Sequence, residues 1–332
     1  KASFETKSIQ GLFFAGQIVS QTGTWLGMVA QTLLVLHLTD SGVALGFLAA
    51  AQFGPVLLLG AWAGVVADRS DKRRLLLIVQ SLAMLQSFAM GALAFTGDPP
   101  VGAIYAVALA GGVLTAFDNP TRRSFVVEMV PRTHINNAVS LNSALMTGSR
   151  VVGPALAGVL VMTVGFGWTF VVDGASYAAV LVGLAMMRSS ELHPSPALER
   201  AKGQVRAGLR YARSVPQLWM PLVMMAVIGT LAFNFGVLVP LFVPLDVGGA
   251  GIPFTLLFSV LSLGSLVGAL VVARRTDTTV RRVGMTAIAF GVSMALLAVA
   301  PGTGFAFVVG PLIGVASIAF MTASTSLVQT EA

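Results

Sequence analysis

The sequence contains no cysteine, few charged residues and only three histidines. Without cysteine there are no disulfides, no thiolate metal ligands and no cysteine nucleophile. The histidines, His37, His134 and His193, lie far apart in the chain, so the pattern predicts no metal site. No G-x-x-x-x-G-K loop is present either, which argues against direct use of ATP. Because no paired carboxylates or activated nucleophile lie within the apolar segments, we predict no enzymatic activity and no cofactor.

Charge is scarce along the whole chain. Only 10% of the 332 residues are charged, whereas 56% are hydrophobic. Soluble domains carry about 25% charged residues, so a water-soluble core does not explain this balance. Apolar windows of about 20 residues, which are long enough to cross a bilayer as helices, occur ten times. The composition therefore predicts an all-α integral membrane protein.

The positions of the cations give the expected orientation of these spans. We place the spans at residues 11–36, 43–66, 75–95, 101–117, 138–164, 168–187, 217–245, 253–273, 283–300 and 304–327. Every Lys and Arg except Arg150 precedes the first span or lies in a loop after an even-numbered span, as Arg122 does after span four. Because such loops stay on the cytoplasmic side, we predict a multi-pass protein of the cell (inner) membrane with a cytoplasmic amino terminus. The net charge of +7 thus serves topology, and no nucleic acid is expected as a partner.

A polar stretch at residues 188–215 divides the spans into six and four. Residues 197–212 within it have the pattern of a basic amphipathic helix on the membrane surface. We therefore predict an N-terminal six-helix bundle at 1–187, a cytoplasmic linker at 188–215 and a C-terminal bundle at 216–332. Six spans, a linker and a second half is the plan of transporters built from two parallel repeats. On that plan the ten spans are part of an expected twelve, and the chain is a fragment with an incomplete second bundle of four helices.

A charged turn, GVVADRSDKRRLLL at residues 64–77, separates spans two and three. It resembles the signature loop between the second and third spans of the major facilitator superfamily. The residues in the signature positions are Gly64, Asp68, Arg69, Lys72 and Arg73. Asp71 stands where that superfamily more often has glycine. By resemblance the loop is a cytoplasmic gate, in which Asp68 and the cations bond to helix ends of the other half; the alternative is anchoring of topology by charge alone.

Two further stretches resemble one branch of this superfamily, the enterobactin exporters and macrolide efflux proteins. They are AGQIVSQTGTWLGMVAQ in span one and FDNPTRRSFVVEMVPRTHINNAVSLNSALMTGSRVVGPALAGVL at residues 117–160. The resemblance implies the major facilitator fold and a monomer that exports small amphipathic or hydrophobic compounds, drugs or siderophores, by alternating access. It also implies protons as the coupling ion and contact with membrane lipids. Two alternatives stay open: a lipid or lysolipid flippase on the same fold, and a membrane scaffold or sensor that uses the basic linker.

Span five contains a glycine-proline motif, with Gly153, Pro154 and Gly158 in a pattern that resembles the one found in exporters. Ala157 departs from the usual glycine pair. Glycine and proline in membrane helices allow bending or close approach of neighbouring helices. A role in export and ordinary small-residue packing are both consistent with this pattern.

Arg150 lies about 12 residues into span five, roughly 18 Å deep at 1.5 Å per residue. A cation at that depth costs about 3 kcal/mol unless it faces water or a partner. One hypothesis is that Arg150 faces a central cavity and contacts substrate or a proton-carrying acid. The other is a structural ion pair with Asp173, a candidate buried acid in span six, for which Ser176 and Tyr177 could also supply hydrogen bonds.

Polar side chains line one face of span one, where a helix surrounded by lipid would be apolar. They predict a substrate or coupling cavity, and by resemblance spans one, four, seven and ten line it. Our candidate cavity residues are Gln17, Gln21, Trp25, Arg150 and Asn234. Spans one, four, seven and ten carry no acid at their centres, so proton coupling is implied only by the resemblance.

Overall fold

The computed structural model describes residues 2–131, 135–187, 210–233, 235, 251–273, 279–300 and 302–331. Within these residues the chain forms helices joined by turns, with no strand. It divides into two compact units, Lys1–Ala197 and Leu198–Ala332. The division falls inside the predicted linker, most of which lies outside the described residues. The described residues 210–214 at its end are helical.

The described part of the first unit contains five helical segments. They are α1 (Ala2–Thr39), α2 (Gly42–Arg69), α3 (Lys72–Ala94), α4 (Val101–Glu128) and α5 (Ile135–Met186). Helix α5 is interrupted at Gly165, whose φ of 82° and ψ of 173° are not helical. Glycine adopts this conformation without steric penalty, so the chain bends here. The two arms of α5, on either side of Gly165, correspond to predicted spans five and six.

The described part of the second unit contains four helices. They are α6 (Pro216–Ala232), α7 (Gly251–Ala273), α8 (Val280–Ala298) and α9 (Thr303–Glu331). Helix α9 packs against the other three. A small core at one end joins α8 to α9 through Val283, Phe320, Ala323 and Leu327. With the two arms of α5 counted separately, the described residues form ten helical segments, the same number as the predicted spans.

The outer surface is apolar, as a lipid-facing surface must be. Leu57 and Leu58 on α2 are 85% and 80% exposed. Among the described residues, six helical segments are long and apolar enough to cross a membrane. Helix α1 is not one of the six, because Gln, Ser and Thr side chains interrupt its apolar sequence. Between residues 11 and 36 most polar side chains of α1 are buried, so this face of the helix meets other helices.

Helix α4 is longer than the predicted span. It continues eleven residues beyond residue 117, to Glu128, so the placement of Arg122 in a loop is wrong. Hydropathy marks where apolar residues end, whereas a helix can continue through charged residues that pair on one face. Arg122 and Asp118, four residues apart, form such a pair.

Helix α1 lies between the two arms of α5. Gln17 Nε2 donates to Asn142 Oδ1 on the first arm at 2.8 Å. On the second arm, the Tyr177 hydroxyl lies 3.1 Å from Thr24 Oγ1. Helix α2 packs on α4, and α3 packs on α4 and α5. This arrangement brings polar residues from all five segments toward one internal space.

Candidate functional site

A partly open cavity of about 130 Å³ lies in the first unit among α1 to α4 and the second arm of α5. Its wall contains five glutamines, Gln21, Gln31, Gln52, Gln80 and Gln86. Asp118, Arg122, Asp173 and Tyr177 also line it. A space of this size with several polar partners is suited to hold water. The first unit is thus polar inside and apolar outside.

The ion pair of Asp118 and Arg122 forms one part of the wall. Arg122 donates through Nε to Asp118 Oδ2 and through Nη2 to Asp118 Oδ1, both at 2.9 Å. Gln80 Nε2 donates to the same Oδ1 at 2.5 Å. Arg122 is only 4% exposed. Its charge is therefore balanced by Asp118, although its Nη1 atom is buried without a hydrogen-bond partner.

Asp173 forms another part of the wall and is 5% exposed. Ser87 Oγ on α3 donates to Asp173 Oδ2 at 2.5 Å. Oδ1 is buried and has no hydrogen-bond partner. In the described part of the chain, no cationic side chain lies within ion-pair distance of this carboxylate. Asp173 is thus a buried acid whose negative charge has no counter-charge nearby.

Helix α1 presents glycine to Asp173. A Cβ added at Gly23 would lie 2.9 Å from Asp173 Oδ1, and one at Gly27 would overlap Oδ2. Any larger residue at these positions would push α1 away from the second arm of α5. The two glycines therefore let the helix backbone approach the carboxylate directly.

Ser176 and Tyr177, which were expected to donate hydrogen bonds to the Asp173 carboxylate, make other contacts. Ser176 Oγ donates to the backbone carbonyl of Asp173 at 2.6 Å, and Tyr177 contacts Thr24. Arg150 lies over Trp25, with Cζ 5.2 Å from the ring centroid. The hypothesis of an ion pair between Arg150 and Asp173 is wrong, because α1 separates the two arms that carry them.

Arg150 and Trp25 meet at the contact between α1 and the first arm of α5. Gly153 holds this contact close, because a Cβ there would lie 2.5 Å from Trp25 Cβ. Thr22 Oγ1 donates to Ser149 Oγ at 3.3 Å on the same contact. Arg150 Nε is buried without a hydrogen-bond partner. A cation–π contact is the interaction that the structure shows for this guanidinium.

The other candidate cavity residues have different environments. Gln21 lines the partly open cavity. Gln17 is fully buried and bonded to Asn142, so it joins two helices. Asn234 lies outside the described residues. A substrate cavity formed by these residues stays a prediction.

Gly153, Pro154 and Gly158 are all buried on the first arm of α5. Gly153 has a packing role, because α1 occupies the space where its side chain would be. Pro154 lies inside the helical segment. An additional role of this motif in export stays a prediction.

The charged turn between α2 and α3 makes several contacts within the first unit. Lys72 Nζ lies 2.7 Å from Glu128 Oε1 at the end of α4. Arg73 donates to the carbonyl oxygens of Leu184 and Ala185 at 2.7 and 2.9 Å. These are terminal carbonyls of α5, which a cation satisfies well.

Asp71 has a structural role that explains the departure from glycine. It is the N-cap of α3, and its Oδ1 accepts a hydrogen bond from Arg74 N at 3.0 Å. Asp68 and Arg69 are exposed at the end of α2, and Gly64 lies one turn earlier in that helix. A gating role of Gly64, Asp68, Arg69, Lys72 and Arg73 stays a prediction.

Several cavity residues escaped the sequence analysis. These are Gln31, Gln52, Gln80, Gln86, Asp118 and Arg122. A glutamine within an apolar span is costly unless it has a polar partner, so these glutamines could have been identified from the sequence as candidate interior residues. The sequence does not predict which glutamines contact one another, because that depends on how the helices pack. In the part of the chain that the structure describes, no cluster of potential metal ligands occurs.

Two curated transporters are similar to this chain in sequence. The chain is 31% identical over 176 residues to the staphyloferrin A transporter of Staphylococcus aureus, which covers 52% of this chain and 44% of that protein. It is 23% identical over 207 residues to the enterobactin exporter EntS of Shigella flexneri, covering 62% of this chain and 50% of that protein. The chain thus spans about half the length of the curated relatives it matches.

Among solved structures, the fold resembles a bacterial homologue of the human lysosomal transporter Spinster. The TM-score is 0.71 and the identity 17%, covering 97% of this chain and 74% of that one. This likeness shows the fold alone, and it confirms the predicted major facilitator architecture. The relatives are transporters rather than enzymes, as the sequence analysis predicts.

The family described as transmembrane secretion effector matches residues 2–332, which is almost the whole chain. This agrees with the apolar outer surface, the buried polar interior and the charged turn between α2 and α3. The resemblance found in the sequence motifs is confirmed. The chain belongs to the transmembrane secretion effector family, within the major facilitator superfamily.

Proposed function

We propose that this protein is a secondary active transporter that exports small amphipathic or hydrophobic compounds, and that Asp173 carries the coupled proton. The names of the relatives, a staphyloferrin A transporter and an enterobactin exporter, make siderophores the first compounds to test. The observation that carries the proton assignment is the buried, unbalanced carboxylate of Asp173 at the wall of a polar cavity.

Asp173 is suited to gain and lose a proton because nothing fixes its charge. A carboxylate buried without a cation is costly in its charged form. Asp118, by contrast, forms a bidentate pair with Arg122. Of the two carboxylates at the cavity wall, Asp173 is therefore the one that can gain a proton without breaking an ion pair.

Protonation of Asp173 would act on the position of α1. The carboxylate touches Gly23 and Gly27, so its charge and hydration bear directly on the contact between α1 and α5. An ionised Asp173 favours water and hydrogen-bond donors beside Oδ1, whereas a neutral one favours the closed contact with α1. Helix α1 also carries Trp25, which contacts Arg150 on the first arm of α5. A shift of α1 would therefore change this contact as well.

The test is accumulation of siderophores and drugs in cells that express the full-length protein, with and without a protonophore. We expect the wild type to lower accumulation and the protonophore to reverse this effect. Asp173→Asn should abolish export while keeping the Ser87 contact. Asp98→Asn, at an exposed site in the turn between α3 and α4, is the matched control and should export normally.

The following results would contradict parts of the proposed function. Active export by Asp173→Asn that still responds to the protonophore would move proton coupling to another group. Unchanged accumulation for every compound would contradict export. Lipid-dependent movement of a labelled lysolipid by the same cells would then favour the flippase alternative, whereas loss of partner binding on removal of the linker charges would favour a scaffold.

The orientation is also a proposal, with the amino terminus and the turn between α2 and α3 in the cytoplasm. Because the chain has no cysteine, single cysteines can be labelled without background. A membrane-impermeant maleimide should label Thr96→Cys, between α3 and α4, in intact cells. Ser70→Cys, between α2 and α3, should react only after permeabilisation. The reverse pattern would invert the topology.

A further inference from the structure

The guanidinium of Arg150 differs from the other cationic groups in the interior of the first unit. Arg122 is paired with Asp118, and Lys72 is paired with Glu128. In the described residues no carboxylate lies within ion-pair distance of Arg150. Its Nε is buried without a hydrogen-bond partner, and the face of the guanidinium rests on Trp25. Among the described residues, Arg150 therefore carries a charge that no carboxylate compensates.

The position of Arg150 is fixed by helix packing. Gly153, one turn further along, admits the backbone of α1 and places Trp25 next to the first arm of α5. Ser149, the neighbour of Arg150, accepts a hydrogen bond from Thr22 and donates one to the carbonyl of Ile18 at 3.4 Å. Arg150 is only partly buried, so part of the side chain is accessible. A guanidinium held in one place and partly open is preorganised to bind a ligand.

The contact with Trp25 is not enough to offset the charge. A cation–π contact compensates less than a carboxylate does, and a cation at this depth in a span is costly. Arg150 has no anionic partner among the described residues. The guanidinium offers a planar pair of donors that matches carboxylates and similar oxyanions, and the Trp25 ring adds an aromatic surface.

We propose that Arg150 and Trp25 form a binding site for an anionic group on the transported compound. The inference deepens the proposed function, on which it rests, by giving the substrate class as amphipathic compounds that carry a carboxylate or a comparable oxyanion. Neutral and cationic compounds would lack the contact that makes burial of Arg150 favourable. The same chemistry is present in anionic lipid headgroups, so the experiment must separate lipid from substrate.

The experiment measures binding of two matched probes to the full-length protein in nanodiscs of phosphatidylcholine. Dansylglycine carries a carboxylate, and dansylamide shares its fluorophore without the charge. Energy transfer from tryptophan to the dansyl group reports binding; Trp25 is one of four tryptophans in the chain, so the Arg150 variants assign the signal to the site. We expect the wild type to bind dansylglycine about tenfold more tightly than dansylamide, the size of one charge-assisted contact.

The variants separate charge from packing. Arg150→Gln should remove the preference for dansylglycine and change dansylamide binding by less than about twofold, because only the charge is lost. Arg150→Lys should keep part of the preference. The matched control is Arg213→Gln, because exposed Arg213 lies over Trp219 in a similar pair, with Cζ 5.0 Å from the ring centroid. This control should leave the preference unchanged.

Three outcomes would overturn the inference. One is a wild type that binds the two probes equally, and another is an Arg150→Gln variant that keeps the preference. The third is loss of dansylglycine binding when phosphatidylglycerol is added, in the wild type alone, which would make a lipid headgroup the occupant. Because binding is measured without transport, a protein that binds dansylglycine through Arg150 yet exports nothing would contradict the proposed function and leave this site standing.

Discussion

Charged groups inside the first unit occur in two regions with opposite character. Near the ends of α3 and α4, Arg122 is paired with Asp118 and Lys72 with Glu128. In the arms of α5, Arg150 and Asp173 have no ion-pair partner in the described residues, and each has a buried polar atom without a hydrogen bond. Asp173 lines the same cavity as Asp118 and Arg122, but only Asp118 and Arg122 form an ion pair.

The difference distinguishes charges that are paired within the fold from charges that we propose bind a proton or a ligand. Breaking a buried ion pair is expensive, because the remaining charge has no partner. An unpaired buried charge already bears that cost in the native state and is retained where function requires it. We therefore expect the paired region to respond to mutation mainly in stability, and the unpaired region mainly in proton coupling and binding.

The largest effect on stability is expected for Arg122→Gln. It leaves Asp118, which is partly buried at the cavity wall, with only Gln80 as a hydrogen-bond donor, so we expect a loss of about 3 kcal/mol. Thermal unfolding of the purified protein in detergent measures it. Arg123→Gln, at the next and exposed position of α4, should change stability little. Equal losses in the two variants would contradict a structural role of the ion pair.

A smaller loss is expected for Lys72→Gln. The side chains of Lys72 and Glu128 are 11% and 8% exposed, and breaking this pair should cost about 2 kcal/mol. The control is Arg74→Gln. Arg74 pairs with Asp71 at 3.6 Å, but its side chain is 82% exposed, so its loss should be less than about 0.5 kcal/mol. A larger loss of thermal stability in Arg74→Gln than in Lys72→Gln would contradict this distinction between buried and exposed ion pairs.

The glycine at the Arg150 site offers a test of packing. Gly153→Ala places a methyl group against Trp25 and the backbone of Thr22, and overpacking of this kind costs about 1–3 kcal/mol. Gly148→Ala lies on the same arm, with no atom within 4 Å of the added methyl group. Unfolding temperatures should fall for the first variant and stay level or rise for the second. Similar values for both would mean that α1 can move away from α5 without penalty.

The smallest effect on stability is expected for Arg150→Gln, and it should not be a loss. Because no acid compensates Arg150, removing its charge should leave stability unchanged or raise it by about 1 kcal/mol. Thermal unfolding in nanodiscs without added anions measures this. A marked decrease, comparable to that of Arg122→Gln, would show that Arg150 belongs with the structural charges.

Much of the fold could be predicted from the sequence. A membrane span must be long and apolar, and cations must stay on one side of the bilayer, so both leave local marks along the chain. The turn before α3 could be found for the same reason, because its charges interrupt two apolar runs. The end of α4 was missed, because the charged residues beyond residue 117 continue the helix through a pair that hydropathy does not record.

The candidate site was predicted only in part. Arg150 and Asp173 stand out in any sequence, because charge is rare in apolar spans. Their partners did not follow from the same argument: Trp25, Ser87 and the glycines of α1 are reached only when three helices pack in one register. The internal glutamines illustrate the same limit.

The sequence by itself determined that the chain is a helical membrane protein, and it predicted the spans and the side of the membrane on which their loops lie. Each of these properties is local, since it depends on the transfer of a short segment between water and lipid. The tertiary structure decided which charges are paired, because pairing depends on the contacts between helices far apart in the chain. Asp118 lies near Arg122 in sequence, but Lys72 meets Glu128, and Arg73 meets the end of α5, only through packing.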